Sequence, residues 1–247
     1  MKISVPALVL ALAAAPAAFA QAVPAHISAA LASPVRTDAD KPRDAARKPG
    51  ETLAFADIRP GDKVADFIIG GGYFTRILSA AVGPNGRVIA YQPEEFVAYQ
   101  SSYGEALDAA AKLPNVTALR SSFAKLDLPD GLDAIVTVQN YHDLHLKHFP
   151  ADTAKTVNAE LFRSLKPGGV LLVVDHEAAA GSGLEVAHTL HRIDPAIVKR
   201  ELEAAGFKLE AEDNQLLDQR SDPKTANVFD AAIRGKTDQF VLRFRKP

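Results

Sequence analysis

Two glycine-bearing stretches, about a hundred residues apart, constrain the fold of this 247-residue chain more than any other feature. Residues 64–75 read VADFIIGGGYFT, which predicts a buried strand, a glycine turn and the start of a helix. Residues 165–175 read LKPGGVLLVVD, which predicts a helix end, a turn and a second buried strand. Glycines let the backbone approach a ligand closely, and a helix N-terminus offers free N–H groups to acceptor atoms. The first turn is therefore a candidate ligand site.

Predicted strands and helices alternate from residue 50 to the end of the sequence. Residues 134–138 and 170–174 are almost continuously apolar, which is typical of strands covered on both faces. Such alternation favours βαβ units and a doubly wound, mostly parallel α/β sheet of seven strands. The predicted strands are 63–69, 87–92, 116–120, 132–138, 170–175, 207–215 and 239–245. The predicted helices are 25–31, 38–47, 50–58, 73–82, 93–112, 152–165 and 195–205.

The first twenty residues have the pattern of a secretory signal peptide. A positive charge at Lys2 precedes an apolar stretch, and Ala18 and Ala20 form an A-x-A cleavage signal. We expect signal peptide 1–20, an N-terminal helical arm 21–49 and one domain 50–247, located in the periplasm or secreted. An uncleaved N-terminal anchor is the alternative. The expected mature protein has no stable membrane span, because the apolar stretch is short and broken by proline.

Composition excludes several classes of function. The chain has no cysteine, so disulfides, a lipoprotein anchor and cysteine zinc sites are ruled out. The formal net charge is −2 and no basic run occurs, so we expect no nucleic-acid partner. The oligomeric state is left open.

Taken together, these motifs resemble the class I S-adenosylmethionine-dependent methyltransferases. LKPGG before a buried strand and AAGF at 204–207 are further features of that family. Within it, GGGYFT at 70–75 and QNYHDLH at 139–145 resemble a group of exported bacterial predicted methyltransferases. The resemblance covers roughly residues 50–247. It implies a Rossmann-like methyltransferase fold, S-adenosylmethionine as cofactor and an unidentified small molecule as methyl acceptor.

The resemblance also implies a set of cofactor-binding residues at the ends of the first four strands. Asp66 matches the acid of the first motif, and Gly70 and Gly72 match its second and third glycines. Asn140 is expected to bond either the substrate or the methionine part of the cofactor. The predicted cofactor-binding residues are Asp66, Gly70, Gly71, Gly72, Gln92, Ser122, Gln139 and Asn140.

The chain departs from the family pattern at three places. Ile68 stands where the first glycine is expected. Gln92 replaces the acid that bonds the ribose hydroxyls, and an amide bonds hydroxyls without the charge-assisted strength of a carboxylate. Glu94 or Glu95 could substitute if the turn bends inward. Ser122 stands where an acid near the adenine amino group is often found.

Polar side chains follow the fourth strand directly, and Asp175 and His176 end the fifth. In this family those two strands are neighbours, so His142 and His176 are expected to face one pocket. We predict His142 as a base or substrate anchor, because imidazole has a suitable pKa and a carboxylate can orient it. Asp143 or Asp175 is the orienting group. Tyr141 is expected to wall the pocket, which completes the predicted catalytic set.

Other interpretations remain open from the sequence. Arg192 could bind a substrate carboxylate or pair with Asp194 at a helix cap. His142, His145 and His148 could ligate a metal together with Asp143, Asp175 and His176, which would make the protein a metal-dependent enzyme. We expect no metal, since leucines and a lysine are interspersed and no H-E-x-x-H occurs. His148 and His188 are expected at the surface. A non-catalytic binding protein that keeps the fold is a further alternative.

Overall fold

Seven strands form one central sheet in the computed structural model, which describes residues 22–219 and 222–247. In the part of the chain described, the strands are β1 Lys63–Phe67, β2 Arg87–Pro93, β3 Val116–Ser121, β4 Leu132–Val138, β5 Leu165–His176, β6 Lys208–Asp213 and β7 Gln239–Arg245. Their order across the sheet is β3-β2-β1-β4-β5-β7-β6. Only β7 runs antiparallel to its neighbours within these ranges. This is the doubly wound methyltransferase topology, and the fold prediction is confirmed.

Helices cover both faces of the sheet. They are α1 Ala25–Leu31, α2 Asp44–Arg47, α3 Pro49–Phe55, α4 Tyr73–Val82, α5 Glu94–Tyr99, α6 Ser102–Ala110, α7 Thr153–Ser164, α8 Glu185–Leu190 and α9 Pro195–Ala204. Short 3₁₀ helices occur at Lys41–Arg43, Phe123–Lys125 and His142–His145. Successive strand side chains point to opposite faces, so Val136 packs under α1 and α4 while Ile135 packs under α7 and α9. Two covered faces explain the continuous apolar runs.

Most predicted elements occur where expected, and the differences have local causes. The predicted helix 93–112 is two helices, because Gln100 is extended and the serines that follow it favour helix ends over helix interiors. The predicted helix 38–47 is a 3₁₀ turn containing Pro42 followed by α2. Strand β5 begins at Leu165 rather than at residue 170, because Leu165 pairs with Leu132 before the register shifts.

The arm packs against the domain of its own chain. Ile27 of α1 is fully buried, and α1 lies on α4. Arg76 of α4 donates two hydrogen bonds to Asp40, at 2.6 and 2.7 Å. The hydroxyl of Tyr73 donates to Asp44 at 2.5 Å. These bonds hold residues 40–47 beside the glycine turn, which brings the arm into the site described below.

The predicted signal peptide lies outside the described residues. Within the described ranges, no helix has the length and apolar character needed to cross a membrane. The predicted boundary between arm and domain, after residue 49, stays a prediction.

Candidate functional site

A cleft of about 1070 Å³ opens at the carboxyl ends of β1 and β4. Ligands of open α/β sheets bind at this edge, where the strand order reverses. The order β2-β1-β4 places the reversal between β1 and β4. The arm, the glycine turn, α5, α6 and the segment around Phe229 complete the walls.

The glycine turn has the left-handed conformation that its sequence predicts. The φ angles of Gly70 and Gly72 are 53° and 75°. Ile68 has φ 66°, an uncommon value for a β-branched residue, so it takes up a glycine-like conformation where the family has glycine. The amide of Asn140 donates to the Ile68 carbonyl at 2.9 Å and so holds this strained residue in place.

The turn is open on the side that faces the cleft. Gly70 and Gly71 both line the cleft, and a Cβ on either would meet no atom within 4 Å. Gly72 instead precedes α4, where a Cβ would lie 2.9 Å from the guanidinium of Arg76. Gly70 and Gly71 are therefore placed for ligand contact, whereas Gly72 shapes the backbone.

Asp66 lies at the bottom of the cleft beneath the turn. It is buried, and the Thr75 hydroxyl donates to it at 2.5 Å. Burial raises the pKa of Asp66 to about 6, although the Thr75 hydrogen bond and the charge of Arg47 act in the opposite direction. A carboxyl held this way is a hydrogen-bond acceptor for a cationic or N–H group in the cleft.

The ends of β2 and β3 differ from what the resemblance implies. Gln92 is fully buried under the turn, where its Oε1 accepts from the Gly70 N–H at 3.0 Å. Glu95, in the first turn of α5, lines the cleft. Its Oε1 accepts from the N–H of Phe123 at 3.1 Å, and its buried Oε2 has no partner among the described residues. Ser122 does not reach the cleft lining, so Glu95 is the acid presented at this end.

Gln139 connects the strand end to the arm. It has φ 64°, and its side chain donates to Gln239 and accepts from Arg47, at 3.0 and 2.9 Å. The guanidinium of Arg47 lies 4.7 Å from the centroid of the Tyr73 ring. Burial, followed by the charge of Arg43, lowers the pKa of Arg47 to about 10. Sequence reasoning missed Arg47, because a cleft residue supplied by an irregular arm carries no motif.

His142 is the most constrained side chain of the polar run. Asp175, fully buried at the end of β5, accepts from the backbone N–H of His142 and lies 2.8 Å from its Nδ1. Burial lowers the pKa of His142, but the charges of Asp175 and Asp143 outweigh it and raise that pKa to about 9. Asp175 thus orients the ring, as one of the two predicted orienting groups. Burial raises the pKa of Asp175, but the charges of His142 and His176 and the hydrogen bonds from His142 together outweigh burial and lower that pKa.

Three further groups surround the free edge of the His142 ring. Oδ1 of Asp143 lies 3.3 Å from His142 Nε2 and 3.9 Å from Nδ1 of His191. The His191 ring meets the His142 ring edge to face, at 5.4 Å between centroids. His176 lines the same cleft and its Nδ1 lies 2.7 Å from the Thr237 hydroxyl. The structure thus brings His142 and His176 to one cavity, and adds His191.

Burial governs the titration of these three groups. It raises the pKa of Asp143 to about 6 and lowers the pKa of His176 to about 3. Burial followed by the charge of His142 lowers the pKa of His191 to about 4. At neutral pH the two flanking imidazoles are therefore neutral.

The other members of the polar run point elsewhere. Tyr141 does not wall the cleft: its hydroxyl donates to Glu201 at 2.9 Å and accepts from Asn158 at 2.7 Å. His145 lies 3.1 Å from the same Glu201 and is not near His142's free edge. His148 and His188 are exposed, as predicted, and lie at the rim of the cleft.

Both interpretations of Arg192 are wrong. Its side chain is fully buried and forms a two-pronged ion pair with Asp222, at 2.8 and 2.9 Å. Asp194 instead caps α9 by accepting from Ala196 N–H. Arg192 therefore fixes the loop that carries His191 and is not available to a substrate carboxylate.

Comparison with known proteins identifies the family. Residues 47–198, more than half of the chain, match the model of the ubiE/COQ5 methyltransferase family. The chain belongs to that family. The prediction of a class I methyltransferase with S-adenosylmethionine as cofactor is confirmed at this level. The match begins at Arg47, so it includes the arm residue that lines the cleft.

Individual relatives agree with this assignment. The ubiquinone/menaquinone biosynthesis C-methyltransferase UbiE of Burkholderia mallei is 32% identical over 124 residues, which cover 50% of this chain and 47% of that protein. The chain thus spans about half the length of the curated relatives it matches.

Solved structures share the fold at low identity. A SAM-dependent methyltransferase from Aquifex aeolicus has a TM-score of 0.58 and 22% identity, covering 85% of this chain and 95% of that one. A possible exported protein from Bordetella parapertussis has a TM-score of 0.54 and 16% identity, covering 83% and 68%. At this identity the two structures support the architecture alone.

Proposed function

We propose that this protein transfers a methyl group from S-adenosylmethionine to a small molecule held beside His142. One observation carries the proposal: the glycine turn and the imidazole cluster line the same cleft. We call Arg47, Asp66, Gly70, Gly71 and Glu95 the cofactor half, and His142, Asp143, His176, His191 and Phe229 the acceptor half.

The residues of the cofactor half fit S-adenosylmethionine. The space beside Gly70 and Gly71 is open, and a cleft of about 1070 Å³ has room for a nucleoside-sized ligand together with an acceptor. Nε of Arg47 and Oε2 of Glu95 are both buried without a partner among the described residues. The Arg47 nitrogen suits an anionic group, which the cofactor carries as its carboxylate. The Glu95 oxygen suits a hydroxyl or N–H donor, which the cofactor carries in its ribose and adenine. When bound, the cofactor supplies an electrophilic methyl group.

The chain's own contribution is to position the acceptor and exclude water. Because Asp175 takes the Nδ1 edge of His142, the Nε2 edge is the one directed toward Asp143 and the cleft. Aromatic side chains of Phe96, Tyr103 and Phe229 line the approach and favour an acceptor with a planar or apolar part. Holding the nucleophile in line with the methyl group is the dominant contribution expected of such a site.

The deciding experiment is calorimetric titration with S-adenosylmethionine and S-adenosylhomocysteine. We expect a Kd on the order of micromolar for both. Gly70→Asp should abolish binding, because its side chain would enter the open space beside the turn. Gly131→Asp is the matched control, since Gly131 also has a left-handed φ of 72° and open space around it but lies at the start of β4.

The outcomes separate the alternatives. Binding that survives Gly70→Asp would contradict the placement of the cofactor half. A folded protein that binds neither ligand at millimolar concentration would overturn the proposal and favour a non-catalytic binding protein.

We propose further that the protein acts outside the cytoplasm as residues 21–247, with the arm and the domain described above. The signal-peptide pattern of residues 1–20 supports this. Expression of the full sequence followed by intact mass of the periplasmic fraction tests it. A mass beginning at Gln21 is expected, whereas full-length protein confined to the cytoplasm would contradict the proposal.

A further inference from the structure

The acceptor half holds more negative charge than its neighbours neutralise. Asp175 is fully buried, and Asp143 is mostly buried beside it. Among the described residues, neither carboxylate has a lysine or arginine within ion-pair distance, and their ion-pair partners are the imidazoles of His142 and His191. Two carboxylates therefore share the single His142 ring between them, and such a cluster attracts a cation.

The hydrogen-bond pattern adds a second constraint. Because Asp175 is an acceptor at Nδ1 of His142, that nitrogen carries hydrogen, and Nε2 is the atom that can bind a metal ion by releasing its own proton. This atom lies 3.3 Å from Oδ1 of Asp143, and Nδ1 of His191 lies 3.9 Å from the same oxygen. The three atoms all lie within 4.8 Å of one another. Three electron-rich atoms this close require a proton or a cation between them.

We propose that His142 Nε2, Asp143 Oδ1 and His191 Nδ1 form a binding site for a divalent transition-metal ion such as zinc. Two imidazoles and one carboxylate are ligands that such ions prefer. Ligands bound tetrahedrally at about 2.0–2.1 Å lie roughly 3.3 Å apart. The His142–Asp143 pair already has this spacing, at 3.3 Å, whereas His191, 3.9 Å from Asp143, has to move closer to bind the same ion.

Neighbouring residues hold the two histidine ligands in place, as is usual at metal sites. Asp175 holds His142 at the nitrogen opposite the proposed metal, which is the carboxylate–histidine–metal arrangement. His191 is held in a left-handed conformation, φ 55°, at the end of α8. The next residue, Arg192, anchors that segment through its buried pair with Asp222. These contacts fix both histidines before any ion arrives.

The site differs from the metal cluster that the sequence suggests. His145 and His148 are the histidines spaced with His142 in sequence, yet His145 pairs with Glu201 and His148 lies at the cleft rim. His191 comes from a different element and supplies the third ligand instead.

The ion would have open coordination positions toward the cleft, since all three ligands line it. If the proposed function holds, this favours a methyl acceptor with a hydroxyl or thiol group. Such a group binds a divalent ion in its deprotonated form and releases its proton to water, which leaves a nucleophile beside the cofactor half.

The test uses the metal alone. Metal-stripped mature protein is titrated with Zn²⁺ by calorimetry and with Co²⁺ by visible absorption, with and without S-adenosylhomocysteine. We expect one ion per chain, and His191→Gln should weaken its binding by about 100-fold through loss of a ligand. His188→Gln is the matched control, because His188 is exposed, also lines the cleft and lies outside the cluster.

Three outcomes decide the proposal. Retention of one ion that is lost in His191→Gln and kept in His188→Gln supports it. Absence of binding at millimolar metal overturns it, and would mean that a proton on His142 satisfies the cluster. Equal weakening by both variants also overturns it, because the ion would then lie elsewhere. Binding of S-adenosylhomocysteine to the metal-free protein is measured separately. A protein that binds this ligand but no metal would contradict the metal site and leave the proposed function standing.

Discussion

The two halves of the cleft are built from different parts of the polypeptide. The cofactor half is centred on a backbone feature: Gly70 and Gly71 expose a turn in which even Ile68 adopts a glycine-like conformation. The acceptor half is mainly side chain: His142 is held by Asp175, and His191 is held by a loop that Arg192 anchors. A backbone site tolerates sequence change as long as its dihedral angles survive, whereas a side-chain site depends on each bracing partner.

Loss of the Arg192 anchor should have the largest effect. Arg192→Leu leaves Asp222 buried without its partner. We expect the free energy of unfolding to fall by about 3–5 kcal/mol, the usual cost of an unpaired buried charge. Urea denaturation measures it. Arg163→Leu is the control, since Arg163 is a half-exposed arginine with carboxylate partners and should change stability by less than about 1 kcal/mol.

A double variant, Arg192→Leu with Asp222→Leu, separates the buried charge from lost packing. It should recover part of the lost stability, because no buried charge remains unpaired. Equal effects of Arg192→Leu and Arg163→Leu would contradict the view that the acceptor half depends on this anchor.

Removing Asp175 should have the next largest effect. Asp175→Ala leaves the backbone N–H groups of His142 and His176 and the His142 ring without their acceptor, at a cost of about 2–3 kcal/mol. Asp143→Ala in the metal-free protein should change stability by no more than about 1 kcal/mol, since Asp143 and Asp175 repel each other. Thermal unfolding of the two variants gives the comparison, and a reversed order would show that Asp143 is the bracing group.

Substitution of Asp66 should raise the free energy of unfolding rather than lower it. The pKa of Asp66 is raised to about 6, so the folded protein holds this proton more tightly than the unfolded chain and loses stability as pH rises from about 4 to 6. Asp66→Asn should therefore stabilise the ligand-free protein at pH 8 by about 2 kcal/mol and have little effect at pH 4. Urea denaturation at both pH values tests this, with exposed Asp108→Asn as control. An equal gain at both pH values would mean that the carboxyl charge is not the cause.

The smallest expected effect is that of substituting Glu95, the acid of the cofactor half. Glu95→Gln should weaken S-adenosylhomocysteine binding by about 10-fold, the loss expected for one hydrogen bond to a charged group. Glu94→Gln is the neighbouring control, because Glu94 is exposed and does not line the cleft. Isothermal titration measures both. A larger loss in Glu94→Gln would transfer the role to that residue.

The sequence predicts the glycine turn better than it predicts the side chains of either half. Turn conformation is a local property, so the glycines at 70–72 predict the left-handed backbone from their own residue types. The polar run after β4 correctly indicates a cluster of functional groups, but side-chain direction separates its members. Tyr141 and His145 turn to Glu201, while His142 turns to Asp175.

The sequence by itself determines the alternation of elements, the glycine turn and the proximity of the β4 and β5 ends, because these follow from periodicity and from the rules of parallel sheets. Only the tertiary structure decides that Glu95 faces the cleft, that Arg47 enters it from the arm, and that His191 completes the imidazole cluster. These side chains come from elements far apart in the chain. Their meeting depends on how the arm and loops pack, and no local pattern encodes that packing.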